Sequence, residues 1–145
     1  LPNSLEVTIK AQKPAAMLKT GEDSMTAVDS KARILNSVSG ASVDGIPVIE
    51  VKDVDTSLSN RSIKEALKIL SSLPESMRNS ITKVTAETQD SITTETNGGD
   101  RVIVWGDSSD LKLKKAVVDK IINDPNVIGD KHNVDVSAPL RPIIK

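Results

Sequence analysis

Cysteine, phenylalanine and tyrosine are all absent from this 145-residue chain; Trp105 is its only aromatic residue and His132 its only histidine. Without thiols there is no disulfide framework, no thiolate nucleophile and no Cys-based zinc site. A single aromatic ring cannot build a stacking platform for bases. Nineteen Lys and Arg against 20 Asp and Glu, a net charge of −1, make no basic footprint, so nucleic acid is excluded as a partner class. There is no run of 18 apolar residues and no signal-peptide core. The chain begins at Leu1-Pro2-Asn3 without an initiator Met, directly before a strand-like segment, and reads as a piece of a longer protein. Its core must come from Val, Ile, Leu, Ala and Met, and its length suits one compact domain.

What is present is periodic. Leu5, Val7 and Ile9 alternate with polar residues and predict a first strand, continued past a proline break by Lys13–Leu18. Met25–Val28 and Lys31–Leu35 flank Asp29-Ser30 as a hairpin, residues 39–45 read as loop, and Ile46–Val51 as a further strand. Ser62 and Glu65 fit a capping box, and Ile63, Ala66, Leu67 and Leu70 follow at helical spacing until Leu73-Pro74. Pro74–Arg78 can start a second short helical turn. A meander then runs through Ile81–Thr88, Ser91–Thr96, the Asn97-Gly98-Gly99-Asp100 turn and Arg101–Trp105. Gly106–Asp110 caps a second helix, Leu111–Asn123, whose Lys114, Lys115 and Lys120 suit the helix dipole, and Asp124-Pro125 stops it. The expected fold class is α+β: a mostly antiparallel sheet with two amphipathic helices on one face.

The C-terminal stretch is the strongest lead. Val134, Val136 and Ala138 alternate with Asp135 and Ser137, the signature of a half-buried strand. Pro139 and Pro142 cannot donate ladder hydrogen bonds, so the segment belongs on an edge or beyond one. An edge strand is a liability unless it is blunted or used to dock a partner strand. Arg141, between the two prolines, is a candidate contact.

Other constellations are weaker. Ser-x-x-Lys occurs at Ser80/Lys83 and Ser109/Lys112, but the pattern is short enough to arise by chance. Ser-Asp-Asn is missing, and Lys19-Thr20-Gly21 stands in the wrong chain order for a transpeptidase. His132 reads as a surface-turn residue, Asp53 and Asp55 as a polar connection, and Asn60-Arg61-Ser62 as a weak sequon. Gly106-Asp107-Ser108-Ser109 reads as a self-capping turn rather than an anion cradle, and Trp105 as a core anchor. No cofactor or metal site is read.

Three segments resemble the bacterial FtsQ/DivIB division proteins. Leu1–Ala16 is similar to the passage from that family's POTRA domain into its β domain. Met25–Asp29 with Ala32–Leu35, followed by Gly45–Ile49, is similar to its hairpin and later Leu-Pro strand, although Ala32 stands where Gly is usual and Leu1 where an aromatic is common. Val104–Asp107, the following helix and Val134–Pro142 resemble the end of actinobacterial members. The resemblance implies a non-enzymatic scaffold of the cell-division machinery. Residues 1–13 would close a POTRA-like domain or linker and residues 14–145 would form the β domain. The domain would lie outside the plasma membrane, in a protein anchored by one helix absent from this chain. It would bind FtsB/DivIC-like and FtsL-like proteins by strand addition along Val134, Asp135, Val136, Ser137, Ala138, Pro139, Leu140, Arg141 and Pro142. The rival readings are a small serine/lysine hydrolase or transpeptidase-like enzyme, and a POTRA-related secretion or assembly module.

Overall fold

Ile63, Ala66, Leu67, Ile69 and Leu70 form one apolar stripe on helix α1 (Arg61–Ser72), and each is at most 3% exposed. A stripe of that width must be buried against another layer. That layer is a mixed sheet, described by a computed structural model over residues 14–19, 25–29, 31, 33, 35, 46–51 and 61–145. Its strands are β1 (Ala16–Lys19), β2 (Met25–Val28), β3 (Val48–Val51), β4 (Ile81–Ala86), β5 (Ile92–Thr96), β6 (Arg101–Gly106), β7 (Asn133–Asp135) and β8 (Ile143–Ile144). They lie side by side in the order β2-β1-β3-β4-β5-β6-β7-β8. The first predicted strand, the 39–45 loop, the Asp53–Asp55 connection and residues 1–13 fall outside the described residues.

Antiparallel pairing joins β1 to β2, β4 to β5, β5 to β6 and β7 to β8, so the predicted meander and the α+β class are borne out. The other three pairings are parallel: β1 with β3, β3 with β4, and β6 with β7. Two of these are crossovers through helices. The chain leaves β3 and passes through α1 and α2 (Glu75–Ser80) to reach β4; it leaves β6 and passes through α3 (Leu111–Ile122) and α4 (Pro125–Ile128) to reach β7. Right-handed crossovers taken in the same direction put both helix pairs on one face of the sheet. Ile49, Val84, Ile92, Ile103, Trp105, Val134 and Val136 from the sheet accordingly share one core with α1, Val118, Ile121 and Ile128.

The other face carries the alternate residues. There Lys83 Nζ lies 2.9 Å from Glu50 and 4.0 Å from Glu95, and Lys19 Nζ lies 3.2 Å from Glu50, across four neighbouring strands. The hydrogen bond from Lys83 holds Glu50 below the usual carboxylate range, against the desolvation that would raise it, with Lys19 assisting. All of these side chains are about a third or more exposed, so each pair adds well under about 1 kcal/mol.

Local details differ from expectation at α1 and after β2, while the Asn97–Gly99 turn forms as expected. Helix α1 starts at Arg61, so Ser62 lies inside it. Glu65 does not close a capping box: its Oε2 accepts the Ser108 N–H at 2.8 Å and ties α1 to the start of α3. The Asp29 turn forms, with Asp29 Oδ1 accepting the Lys31 and Arg33 N–H groups and Leu35 N–H reaching Ala27 O. However, β2 pairs mainly with β1. Asn97, Gly98 and Gly99 all take positive φ, which is how the chain reverses between β5 and β6.

Candidate partner-binding edge

The C-terminal edge begins at Trp105. The register of β5 and β6 shifts so that Trp105 is the extra residue of a bulge between Val104 and Gly106. Its side chain is fully buried, and its indole N–H donates to Thr94 Oγ1 at 2.9 Å, which bears out the core-anchor reading. Gly106 follows with φ of +80°, and a Cβ built there would stand 3.0 Å from Ser137 Cβ. Only glycine tolerates both that backbone and that approach. The end of β6 is thereby held against the residue that leaves β7.

The next turn is a closed polar cluster. Asp107 Oδ1 accepts the Ser109 N–H at 3.0 Å, the Ser109 hydroxyl and Lys114 Nζ at 3.1 Å. Those bonds, Ser109 first, bring the Asp107 carboxyl down to about 2. Lys114 is 1% exposed, so it is not the dipole-facing surface lysine that the sequence suggested. It reaches back along α3 to the Asp107 carboxylate and carbonyl. Asp110 takes the N-cap position in a left-handed conformation and makes no side-chain cap bond, so the Asp107 side chain organises this turn instead. A cavity of about 330 Å³ beside it is lined by Glu65, Asp90 and Asp107 with Gln89, Ser108 and Ser109. Three carboxylates disfavour an anion there.

Neither Ser-x-x-Lys pair forms a nucleophile and base. The Ser80 hydroxyl donates to Met77 O while Lys83 joins Glu50 on the open sheet face, and Ser109 faces Asp107 while Lys112 is exposed. Among the described residues no group of three or more His, Asp or Glu side chains is placed to hold a metal. His132 is exposed, as expected, but it directly precedes β7 rather than lying in a turn, and its Nδ1 is 2.8 Å from Asp100 O.

Strand β7 lies parallel to β6, fixed on its inner side by Val102 N–H to His132 O at 2.8 Å and Val136 N–H to Val104 O at 2.9 Å. Val134 and Val136 are fully buried, as the alternation predicts. The strand is shorter than predicted, however. Asp135 Oδ1 accepts both the Ser137 N–H at 2.9 Å and the Ser137 hydroxyl at 2.6 Å, so a side chain replaces the next ladder partner. The chain then turns, with Arg141 N–H donating to Ala138 O at 2.9 Å and Pro139 at the position where its fixed φ suits a turn. It comes back as β8, which pairs Ile144 with Val134 and Ile143 with Asp135. The predicted edge from Val134 to Pro142 is therefore a short strand and the turn of a hairpin rather than one extended strand. Its tip is exposed, with Leu140 at 87% and Ile143 at 52%, alongside exposed Ser137, Ala138, Arg141 and Pro142 and half-buried Pro139. Sequence reasoning missed β8, since two isoleucines after a proline are too short a run to show any period.

The chain is thus an α+β domain with one helix-covered sheet face and its last hairpin at the sheet edge. The chain belongs to the family described as "Cell division protein FtsQ/DivIB, C-terminal", which it matches over residues 16–137. It is 27% identical over 150 residues to the cell division protein FtsQ of Streptomyces bingchenggensis, covering 99% of this chain and 54% of that protein. It is 28% identical over 144 residues to the cell division protein FtsQ of Mycobacteroides abscessus, covering 99% and 43%. The chain thus spans about half the length of the curated relatives it matches. No helix among the described residues is long and apolar enough to cross a membrane.

Proposed function

We propose that this chain is the extracytoplasmic β domain of a membrane-anchored division protein. In this reading it acts without chemistry of its own, as a scaffold that gathers FtsB/DivIC-like and FtsL-like proteins during septum formation. Residues 1–13 would lead in from a POTRA-like domain, and residues 14–145 would carry the binding surface. The partner docks along Val134–Pro142, where main-chain groups supply affinity and alternate side chains supply selectivity. The observation that carries this reading is the hairpin tip: Leu140 stands 87% exposed in a proline-flanked turn beside Arg141. Arginine is enriched at interfaces and among their hot spots, and the exposed leucine beside it adds apolar area that a partner would bury.

Both residues are exposed, so replacing them leaves the core untouched. Titration calorimetry with the FtsB-type and FtsL-type ectodomains of the same organism should show Leu140→Glu/Arg141→Glu weakening binding at least tenfold, about 1.4 kcal/mol. The circular dichroism melt should stay within about 2 °C of the parent, because exposed substitutions cost little. Unchanged affinity in the folded double variant would count against docking at this tip.

A further inference from the structure

The slot a partner strand would use beside β7 is already filled, and the chain itself fills it. Asn133 and Lys145 exchange both backbone hydrogen bonds, Asn133 N–H to Lys145 O at 3.0 Å and Lys145 N–H to Asn133 O at 2.9 Å. In an antiparallel ladder such pairs alternate with unbonded ones. Asp135/Ile143 is therefore the next bonded pair, and Val134/Ile144 the close, unbonded pair between them. The outward groups of β7 are thus those of Asn133 and Asp135, both spent on β8. The next outward donor, Ser137 N–H, is held by the Asp135 carboxylate.

The outer side of β8 is a poor alternative. Only Ile144 turns its N–H and C=O away from β7, and Pro142, the next residue toward the turn that would face outward, has no N–H to offer. Between Pro142 and Lys145, a strand adding outside β8 would find only Ile144 with both groups turned toward it. A strand adding directly to β7 would find Asn133, Asp135 and Ser137. What must leave to open that ladder is slight: a two-residue strand whose Ile143 is half exposed, joined through an exposed turn.

We infer that β8 is a placeholder strand, displaced when a partner strand binds. The inference rests on the strand-addition reading above and specifies its geometry. The incoming segment is extended and places an aliphatic side chain opposite Val134, where Ile144 now packs against the core. Its alternate residue faces Asp135 on the open side of the sheet and suits a polar or basic group. Until then β8 shields the β7 edge from pairing with unrelated chains.

The chain has no cysteine, so a single designed disulfide can lock β8 in place. Val134→Cys/Ile144→Cys lies at an unbonded antiparallel pair, whose Cα separation of about 4.5 Å is within disulfide range. The probe is the same pair of FtsB-type and FtsL-type ectodomains. The oxidised variant should bind at least tenfold more weakly than the same variant reduced, the reduced form serving as its own folding control. A chain ending at Pro142, which lacks β8, should bind at least as tightly as the full chain. Equal binding by oxidised and reduced forms, or loss of binding on removing β8, overturns the placeholder. If Leu140→Glu/Arg141→Glu still weakens binding in that case, docking at the hairpin stands and only displacement fails; if it does not, the docking reading fails as well.

Discussion

Trp105→Ala should cost the domain about 3–5 kcal/mol, the range for truncating a large buried aromatic. A domain of ordinary stability has only about 5–15 kcal/mol to lose, so the variant should melt roughly 10 °C or more below the parent. The reasons are specific to this position. The ring is fully buried at a bulge of β6, in a core otherwise built from aliphatic side chains, so no neighbouring aromatic can swing in to refill the space. Its N–H has one buried acceptor, Thr94 Oγ1, itself 1% exposed. Thr94→Val, close in shape, should separately cost about 1–3 kcal/mol by leaving the indole N–H unpaired. Both effects are read from urea unfolding followed by far-ultraviolet circular dichroism, since the first variant removes the only tryptophan. A loss below about 1 kcal/mol for Trp105→Ala would mean that the ring does not anchor this junction.

Asp107→Ala should be the next most damaging change outside the apolar core. It strands the Lys114 ammonium, which is 1% exposed and depends on the Asp107 carboxylate and carbonyl. Breaking a fully buried pair costs about 3–5 kcal/mol. Asp107 is 40% exposed, so water can partly replace its carboxylate, and about 1–3 kcal/mol is the appropriate expectation. Replacing the cation instead, by Lys114→Met, should be far milder, because it removes the charge that needs a partner and keeps the packing. The pH dependence follows from the carboxyl. Its folded value of about 2 lies below the ordinary aspartate value of 3.8, so its contribution is fully present above about pH 4 and is lost as pH falls through about 2. The Asp107→Ala variant should therefore lose less stability than the parent between pH 4 and pH 2. An equal acid loss in the two proteins would show that Asp107 does not supply it.

How far the sequence discloses this molecule depends on whether the deciding interaction is local. The α1 stripe, the β4–β6 meander and the Asn97–Gly99 turn are legible because period and turn chemistry are carried by adjacent residues. The alternation of Val134 and Val136 likewise identified the core-facing side of β7 correctly. The parallel pairing of β3 with β1 and β4 is not legible, because nothing within Val48–Val51 states which strand lies beside it. The burial of Lys114 depends on the turn seven residues upstream being folded against α1 through Glu65 and Ser108, a tertiary fact. The end of β7 is an intermediate case. An Asp two residues before a Ser is visible in the sequence, but only the structure shows its carboxylate taking the Ser137 N–H in place of a neighbouring strand.

That same Ser137 N–H offers the most direct measurement. Residue-resolved amide hydrogen exchange on the domain, alone and saturated with the FtsB-type and FtsL-type ectodomains, reads the edge one donor at a time. With a partner strand docked on β7, protection should rise at Asp135 and Ser137 and fall at Ile143 and Lys145 as β8 leaves, while β2 at the opposite edge of the sheet stays unchanged. Protection gained along β2 or on the open sheet face, with residues 133–145 exchanging as before, would contradict a docking edge at the C-terminus.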